Sequence, residues 1–540
     1  MDQPTRQATD PVGQRMTRRK LIEALGVNLA PDAIDLSKYA PPNAPQTLAD
    51  LPNLDGRGSH LLRGDESELA ELFHRCWLGP HSAKVNGEVW QWQPEARGWV
   101  RLSTDLMVQL LSVVAGANVL VGVREDGTAK HKRLNLSNAK LRGAIALVGS
   151  KLARPETDGT FWPESRDCLT GLCQFRDQAV RVTQEAPGRL TWETVPPSPS
   201  LRVRAARVLP TAFRGMPPDL EGLGTVCPEF QQVCLDWWGH HGAAELEARQ
   251  RAVLEFLGAS LLGMAPMMAR AVMLYGEGGT GKSTLIELLT RWCQPQAVAS
   301  VTPQDMGVNR FASAQLDGAL LNVVDDLPAE PIKDAGAWKS SITGGRMGVE
   351  RKGRDGYTIH PRAGHLYAGN RLPVAVRANT GFWRRWLVVQ YDRVFAGTEH
   401  DRDVLSALLT ETPDLVCFAL RAFIDTGGKG GRGYTLPACH SAMLHEWETI
   451  SDSVSAFWAD AVQLLPPGTP RADWWPRSLV YRLYKSWCDA GGRKAVAAAE
   501  FYRRATGLGA QVIKSNGQRI INCHAELERE LPPSNDGGAW

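Results

Sequence analysis

Residues 271–284 read Ala-Val-Met-Leu-Tyr-Gly-Glu-Gly-Gly-Thr-Gly-Lys-Ser-Thr, and Leu285-Ile286-Glu287-Leu288-Leu289 follows. The apolar run 271–275 has the composition of a buried strand. The stretch Gly276–Ser283 fits G-x-x-x-x-G-K-[ST] at every fixed position, and 285–289 has helical character. Strand, glycine loop and helix are the context in which this spacing binds phosphate. Glycines let successive backbone N–H groups curl around an anion, and the helix N-terminus adds partial positive charge. Gly276, Glu277, Gly278, Gly279, Thr280, Gly281, Lys282, Ser283 and Thr284 are therefore candidate nucleoside-triphosphate contacts. Lys282 would reach the β/γ-phosphates and Ser283 would offer its hydroxyl to Mg²⁺. ATP and Mg²⁺ are the expected cofactors. A bare glycine turn after a strand would show the same letters without this function, but the flanks favour the binding reading.

Working outward, 540 residues leave room for roughly three or four domains, and 43% hydrophobic content suffices for folded cores. A net charge of +3 excludes a globally basic protein, so any nucleic-acid contact must come from local patches. The ten cysteines include no C-x-x-C pair and no zinc spacing, which points to reduced, buried thiols. No secretory leader is expected, because the N-terminus lacks an apolar h-region. The uncharged run between Asp105 and Arg124 is interrupted by Gln109, Ser112, Gly116, Asn118 and Gly122. It reads as a core helix, a glycine break and a short strand rather than a membrane span.

Five segments follow in order. Residues 1–62 form a basic, then Pro-rich, tail and linker. Residues 63–215 form an α+β domain with a helix over Glu66–Trp77 and strands at 89–92 and 98–101. A further helix is expected over Thr104–Ala115, and strands around 189–194. This segment shows no carboxylate pair with a partnering histidine. Residues 216–426 hold a helical lead-in and the nucleotide core, and the glycine run 427–433 reads as a flexible linker. Residues 450–525 carry helices over Ser453–Leu465, Ser478–Cys488 and Ala495–Thr506. A hairpin then turns at Asn516-Gly517. Three helices and a hairpin make a winged-helix pattern, which serves DNA and protein contacts alike. Residues 526–540 read as a tail.

The core holds more than a loop. Leu320-Leu321-Asn322-Val323-Val324 ends in Asp325-Asp326. Asp325 would hold Mg²⁺, and Asp326 would orient or deprotonate the attacking water. Residues 347–359 read as a hairpin whose tip carries Arg351, Lys352 and Arg354 beside glycines. A flexible basic tip suits contact with phosphates without base reading, although solvated charged turns look the same. The run His365–Gly369 reads as a strand ending in Asn370, an amide able to sense the γ-phosphate. Arg384 and Arg385 precede the apolar run 386–389. An arginine offered to a neighbouring subunit's γ-phosphate stabilises transition-state charge. On its own the pair would equally suit a surface packed on Trp383 and Trp386.

The order of these elements resembles superfamily 3 helicases, in particular the helicase part of poxvirus-type phage and plasmid primase-helicases. The resemblance covers about 85–525. It rests on 276–283, Asp325-Asp326, Thr343-Gly344-Gly345 with the basic hairpin, Asn370 and Arg384-Arg385, and on the C-terminal Tyr481–Cys488 with Phe501. It implies an α/β, P-loop, AAA+-like ATPase core between an α+β N-terminal domain and a C-terminal winged helix. It also implies a ring, hexameric as a homo-oligomer, that moves 3′ to 5′ along single-stranded DNA, with ATP between subunits and the hairpin around Lys352 in the channel. By motif matching Lys282, Ser283, Asp325, Asp326 and Asn370 take the roles above, and either Arg384 or Arg385 is the finger. The second carboxylate is Asp326 where related ATPases commonly carry Glu. The region before 85 is too short for the fused primase of such proteins, so a separate primase or origin-binding partner is implied. The setting implied is a phage or mobile element in a bacterial cytoplasm, with no membrane association. Two other readings use the same loop: an AAA+ ATPase that remodels a protein partner without unwinding, and a small-molecule kinase. The latter leaves the arginines and the basic hairpin unexplained.

Overall fold

The computed structural model describes residues 48–51, 60–126, 128–152, 161–162, 169–309, 311–352, 356–375, 378–395, 404–490, 495–515 and 517–525. The expected basic N-terminal helix, most of the Pro-rich linker, Arg354 and the tail beyond 525 lie outside these residues. The chain is a mixed α/β protein that divides into two compact units. The first comprises 1–181, 192–213 and 293–295; the second comprises 182–191, 214–292 and 296–540.

In the first unit, strands β1 (Ser82–Val85), β2 (Glu88–Gln93) and β3 (Gly98–Leu102) form an antiparallel sheet. β1 was not anticipated from the sequence. It pairs with β2 through Asn86-Gly87, where both residues have positive φ (49° and 76°), as a tight hairpin turn requires. The helix expected over 66–77 is α-helical only to Phe73 and widens into a π-turn over His74–Leu78, closed by Gly79. The 104–115 helix ends at Leu111 with a 3₁₀ turn behind it, and Gly116 leads to β4 (Asn118–Val123), paired with β5 (Ala129–Arg133). The helices Glu66–Phe73, Thr104–Leu111 and Asn138–Lys151 share a core that includes Leu69, Phe73, Met107, Leu111, Leu141 and Ile145. Strands β6 (Thr170–Gln174), β7 (Ala179–Ala186) and β8 (Arg189–Val195) form a further sheet, of which residues 182–191 are counted in the second unit.

The second unit is built on five parallel strands: β9 (Ala271–Tyr275), β10 (Val298–Ala299), β11 (Leu321–Val324), β14 (Gly364–Gly369) and β15 (Trp386–Gln390). Their order is β10-β11-β14-β9-β15. Strands covered on both faces read as continuous apolar runs, and every residue of β11 and β14 is buried. Between β11 and β14 the hairpin β12 (Met347–Val349) and β13 (Tyr357–Ile359) forms as expected. A buried polar network ties the sheet to its flank. Asn322 bonds both backbone groups of Val301 (2.7 and 2.9 Å) and lies 3.0 Å from His365 Nδ1, while Trp338 Nε1 donates to the Tyr367 hydroxyl (3.2 Å). Complete burial pushes the His365 pKa down to about 3, so the ring is neutral within this network.

One C-terminal expectation is corrected. The helix expected over 453–465 stops at Ala461, and β16 (Val462–Leu464) pairs antiparallel with β20 (Cys523–Ala525). Leu465 precedes Pro466, which disfavours helical backbone there. The remaining helices, Arg477–Ala490 and Ala498–Gly507, pack on the three-stranded sheet of β17 (Trp475–Pro476), β18 (Val512–Ser515) and β19 (Gln518–Ile521).

The glycine run 427–433 is a fixed turn rather than a flexible linker. Gly428 N donates to Thr426 Oγ1 (3.0 Å) and Arg432 N to Thr426 O (2.8 Å). Arg432 also pairs at 2.6 Å with Glu255, whose carboxylate accepts from Thr435 N (2.6 Å) and Thr435 Oγ1 (2.9 Å). Glu255 is fully buried on the helix Ala243–Leu261. Burial raises its pKa, against the pull of these bonds. Removing one partner of such a pair leaves the other uncompensated, so Glu255→Ala is expected to cost about 3–5 kcal/mol in chemical denaturation. A loss below about 1 kcal/mol, the size of an ordinary surface change, would show that the turn holds without this carboxylate.

Candidate functional site

In a parallel sheet every C-terminal strand end opens on the same edge, and ligands bind in the crevice outside that edge. Three of the sequence-selected groups are assembled there. The glycine loop 276–281 leaves β9, Asp325-Asp326 leaves β11, and Asn370 leaves β14, the strand hydrogen-bonded between the other two. Gly276 N donates to Gly369 O (3.2 Å), which fixes the loop beside the approach to Asn370. Asp325, Asp326 and Asn370 are exposed.

Lys282 opens the helix Lys282–Trp292 and is nearly buried. Its ammonium turns back into the loop, donating to Gly276 O (2.8 Å), Glu277 O (2.5 Å) and Thr280 Oγ1 (3.1 Å). Burial pushes its pKa down, while Asp325 and Asp326 push it up. Its hydrogen-bond partners are two carbonyls and a hydroxyl, all neutral, so an entering anion would find the cation available. Ser283 Oγ donates to Asp325 Oδ1 (3.1 Å). A hydroxyl and a carboxylate oxygen side by side are the hard oxygen donors that Mg²⁺ takes.

The loop fits only because two of its positions are glycine. A Cβ on Gly281, where φ is 91°, would lie 2.1 Å from Trp237 Nε1. A Cβ on Gly276 would lie 1.7 Å from the Tyr391 carbonyl oxygen. The segment 391–395 thus runs beside the loop, with Phe395 N donating to Gly279 O (2.9 Å). Behind it Tyr391 packs edge-on against Trp237 and Trp238, which are tilted against each other. This wall was not read from the sequence. Its only local signal is the Trp237-Trp238 pair, and Tyr391 comes from a distant part of the chain.

The arginine pair is not part of the same cluster. Arg385 O accepts from Ala271 N (2.7 Å), at the start of the strand that ends in the glycine loop. At about 3.3 Å per residue, the pair is set back by roughly 16 Å, at the opposite sheet edge. Arg384 is exposed. Arg385 is half-buried and its guanidinium donates to Gly381 O; burial, then Arg384, lowers its pKa.

At the hairpin, Arg351 is already engaged. It pairs with Asp317 (3.2 Å) and lies 5.2 Å from the Tyr357 ring, whose hydroxyl donates to the same carboxylate oxygen (3.2 Å). Lys352 is exposed in the turn. Of the residues named together from the sequence, Arg351 is thus fastened at the turn end of the hairpin and Lys352 projects from it.

Among the described residues, no helix is long and apolar enough to cross a membrane. The profile of DUF5906, a family of unknown function, matches residues 274–385. That span runs from the end of β9 to the second arginine of the pair. No curated protein matches the sequence. Solved structures of the apo C-terminal region of NrS-1 are similar at 13% identity over 54% of this chain and 74% of that one (TM-score 0.33), and at 10% identity over 85% and 99% (TM-score 0.39). TM-scores this low establish neither a shared fold nor a shared activity.

Proposed function

We propose that the protein is an ATP-dependent DNA helicase. In this reading residues 216–426 are a P-loop, AAA+-like motor of the superfamily 3 type, and 450–525 are a winged helix. Copies of the chain form a hexameric ring around single-stranded DNA, serving replication of a phage or mobile element in a bacterial cytoplasm. The observation that carries the reading is the convergence of Lys282, Ser283–Asp325 and Asn370 at one edge of a parallel sheet. Lys282 would draw the β/γ-phosphates, Ser283 and Asp325 would hold Mg²⁺, Asp326 would position the attacking water, and Asn370 would sense the γ-phosphate. Bound Mg²⁺ supplies charge neutralisation across the phosphates. The strand order around β9, with neighbours β14 and β15 and outer strands β11 and β10, supports the AAA+-like reading. The helices 477–490 and 498–507 with the β18–β19 hairpin support the winged helix.

The test is ATP hydrolysis with and without single-stranded DNA, alongside strand displacement on 3′- and 5′-tailed duplexes. DNA-stimulated hydrolysis with displacement from the 3′ tail is expected. Hydrolysis indifferent to DNA, with no displacement, would favour the second reading, an AAA+ ATPase acting on a protein partner. One observation leans that way: Arg351 is held by Asp317, which leaves the hairpin less free charge than its sequence offers.

The exposed Lys352 provides the sharper measurement. Lys352→Ala is expected to abolish unwinding while basal hydrolysis stays within about twofold, because a phosphate contact in the channel is remote from the chemistry. Unwinding of a tailed duplex at the parental rate would remove the hairpin from the DNA path.

A further inference from the structure

The wall beside the glycine loop carries a cluster that the nucleotide reading does not use. His240 and His241 follow the helix Pro228–Trp238 in a 3₁₀ turn, and Asp392 follows β15 by two residues. Both imidazoles converge on the one carboxylate. His240 Nε2 lies 3.1 Å from Asp392 Oδ1, and His241 Nε2 lies 2.9 Å from Asp392 Oδ2. The two rings are 4.0 Å apart, centroid to centroid. One ligand atom from each of the three residues lies within 4.8 Å of the other two.

Consecutive side chains on a turn normally diverge, so convergence of both rings has to be imposed from outside. Here the packing behind them imposes it. Trp237 and Trp238, which precede the turn across Gly239, and Tyr391, which immediately precedes Asp392, are buried against one another. Arg393 Nη1 donates to Asp236 O (2.9 Å), which ties the two segments together a second time. The two segments that carry the ligands are therefore anchored by buried side chains.

We propose that His240, His241 and Asp392 form a binding site for a divalent transition metal of the Zn²⁺ class. Two imidazole nitrogens and a carboxylate oxygen are a known ligand set for such ions, with a fourth position left to water. Bonds of about 2.1 Å at tetrahedral angles place ligand atoms roughly 3.4 Å apart. The 2.9 and 3.1 Å separations are within a few tenths of an ångström of that spacing. The three side chains remain 27–41% exposed, so the ion has an entry path and a wet coordination position. A plain hydrogen-bonded clasp would explain the distances too, and metal binding separates the two.

The bound ion has a definite structural consequence. It joins the turn after the Pro228–Trp238 helix, whose Trp237 packs on Gly281, to the segment 391–395, which lines the glycine loop at Gly276 and Gly279. The proposal does not depend on what that loop binds, because the ion itself is the probe.

The experiment uses the full chain, untagged, stripped with chelator and free of nucleotide. Zn²⁺ is titrated by calorimetry and Co²⁺ by its visible absorption, for the parent and for His240→Ala, His241→Ala and Asp392→Asn. One ion per chain is expected, with a rise in the thermal midpoint. Changes in the second shell of a metal site commonly cost about 10–100-fold in affinity, so losing a ligand should cost at least tenfold. Asp392→Asn is nearly isosteric and keeps the fold comparable. Absence of stoichiometric binding by the parent would overturn the proposal. So would equal affinity in parent and variants, which would send the ion to other groups of the chain.

Discussion

Lys282→Ala is expected to reduce ATP hydrolysis by at least about a hundredfold in kcat, the scale on which loss of one preorganised donor to a transition-state oxyanion is felt. The reasoning starts from the resting contacts. The ammonium is nearly buried and held by Gly276 O, Glu277 O and Thr280 Oγ1. An ammonium surrounded by neutral acceptors gains most from an anion arriving within the same loop, and alanine offers no charge there. Folding should survive. Residues 277–279 are exposed, so the freed Glu277 carbonyl can turn to water rather than be stranded. A thermal midpoint within a few degrees of the parent, together with lost turnover, is the expected pair of results. Turnover within tenfold of the parent would sink the assignment of the loop as the site of hydrolysis.

The second large effect concerns the arginine pair. Arg384→Ala is expected to lower kcat about a thousandfold, the lower end of what an arginine supplied to a phosphoryl transition state contributes. Arg384 sits about one β9 length from its own glycine loop, roughly 16 Å at 3.3 Å per residue, so within one chain it cannot reach the γ-phosphate. In the ring it would serve the neighbouring subunit. Arg385→Ala is expected to be milder for hydrolysis and more costly for folding, because Arg385 is half-buried and bonds Gly381 O. Mixing decides the matter. In the proposed ring, Arg384→Ala protein and Lys282→Ala protein should each be inactive, yet mixed rings would contain some interfaces built from two intact halves. Activity should return with a maximum at intermediate ratios. No recovery at any ratio, in rings shown by labelled subunits to be mixed, would place the arginines outside the site.

Much of the second unit was legible because its elements announce themselves locally. The run 271–289 carries a buried strand, a glycine loop and a helix in consecutive letters, and all three form there. The same holds for β11 before Asp325, β14 before Asn370 and β15 after Arg385. Continuous apolar runs bounded by polar residues are what strands buried on both faces look like. The sequence was less reliable where a distant partner sets the conformation. Ser453–Leu465 has helical composition throughout, but Val462–Leu464 finds a strand partner in Cys523–Ala525. The glycine run 427–433 signals only freedom in its letters, yet Thr426 bonds it locally and Glu255 holds it from a helix far earlier in the chain. β1 was missed although its signal was present: Asn86-Gly87 is the dipeptide that marks a tight hairpin turn.

The sequence by itself determined the chemistry available to this protein: a glycine loop ending in Lys-Ser, a carboxylate pair, a strand-end amide and an arginine pair. Residue type and short spacing carry that information, because strands and turns are specified within a few residues. Tertiary structure alone decided which of these groups meet. Parallel pairing through β14 brings the loop, Asp325-Asp326 and Asn370 to one edge. The register of β15 on β9 leaves Arg384 and Arg385 at the other. It also seated Trp237 and Tyr391 against the glycines, turned His240 and His241 onto Asp392, and gave Arg351 to Asp317. Those contacts join residues distant in the chain, and no local pattern encodes a pairing that only sheet order and packing create.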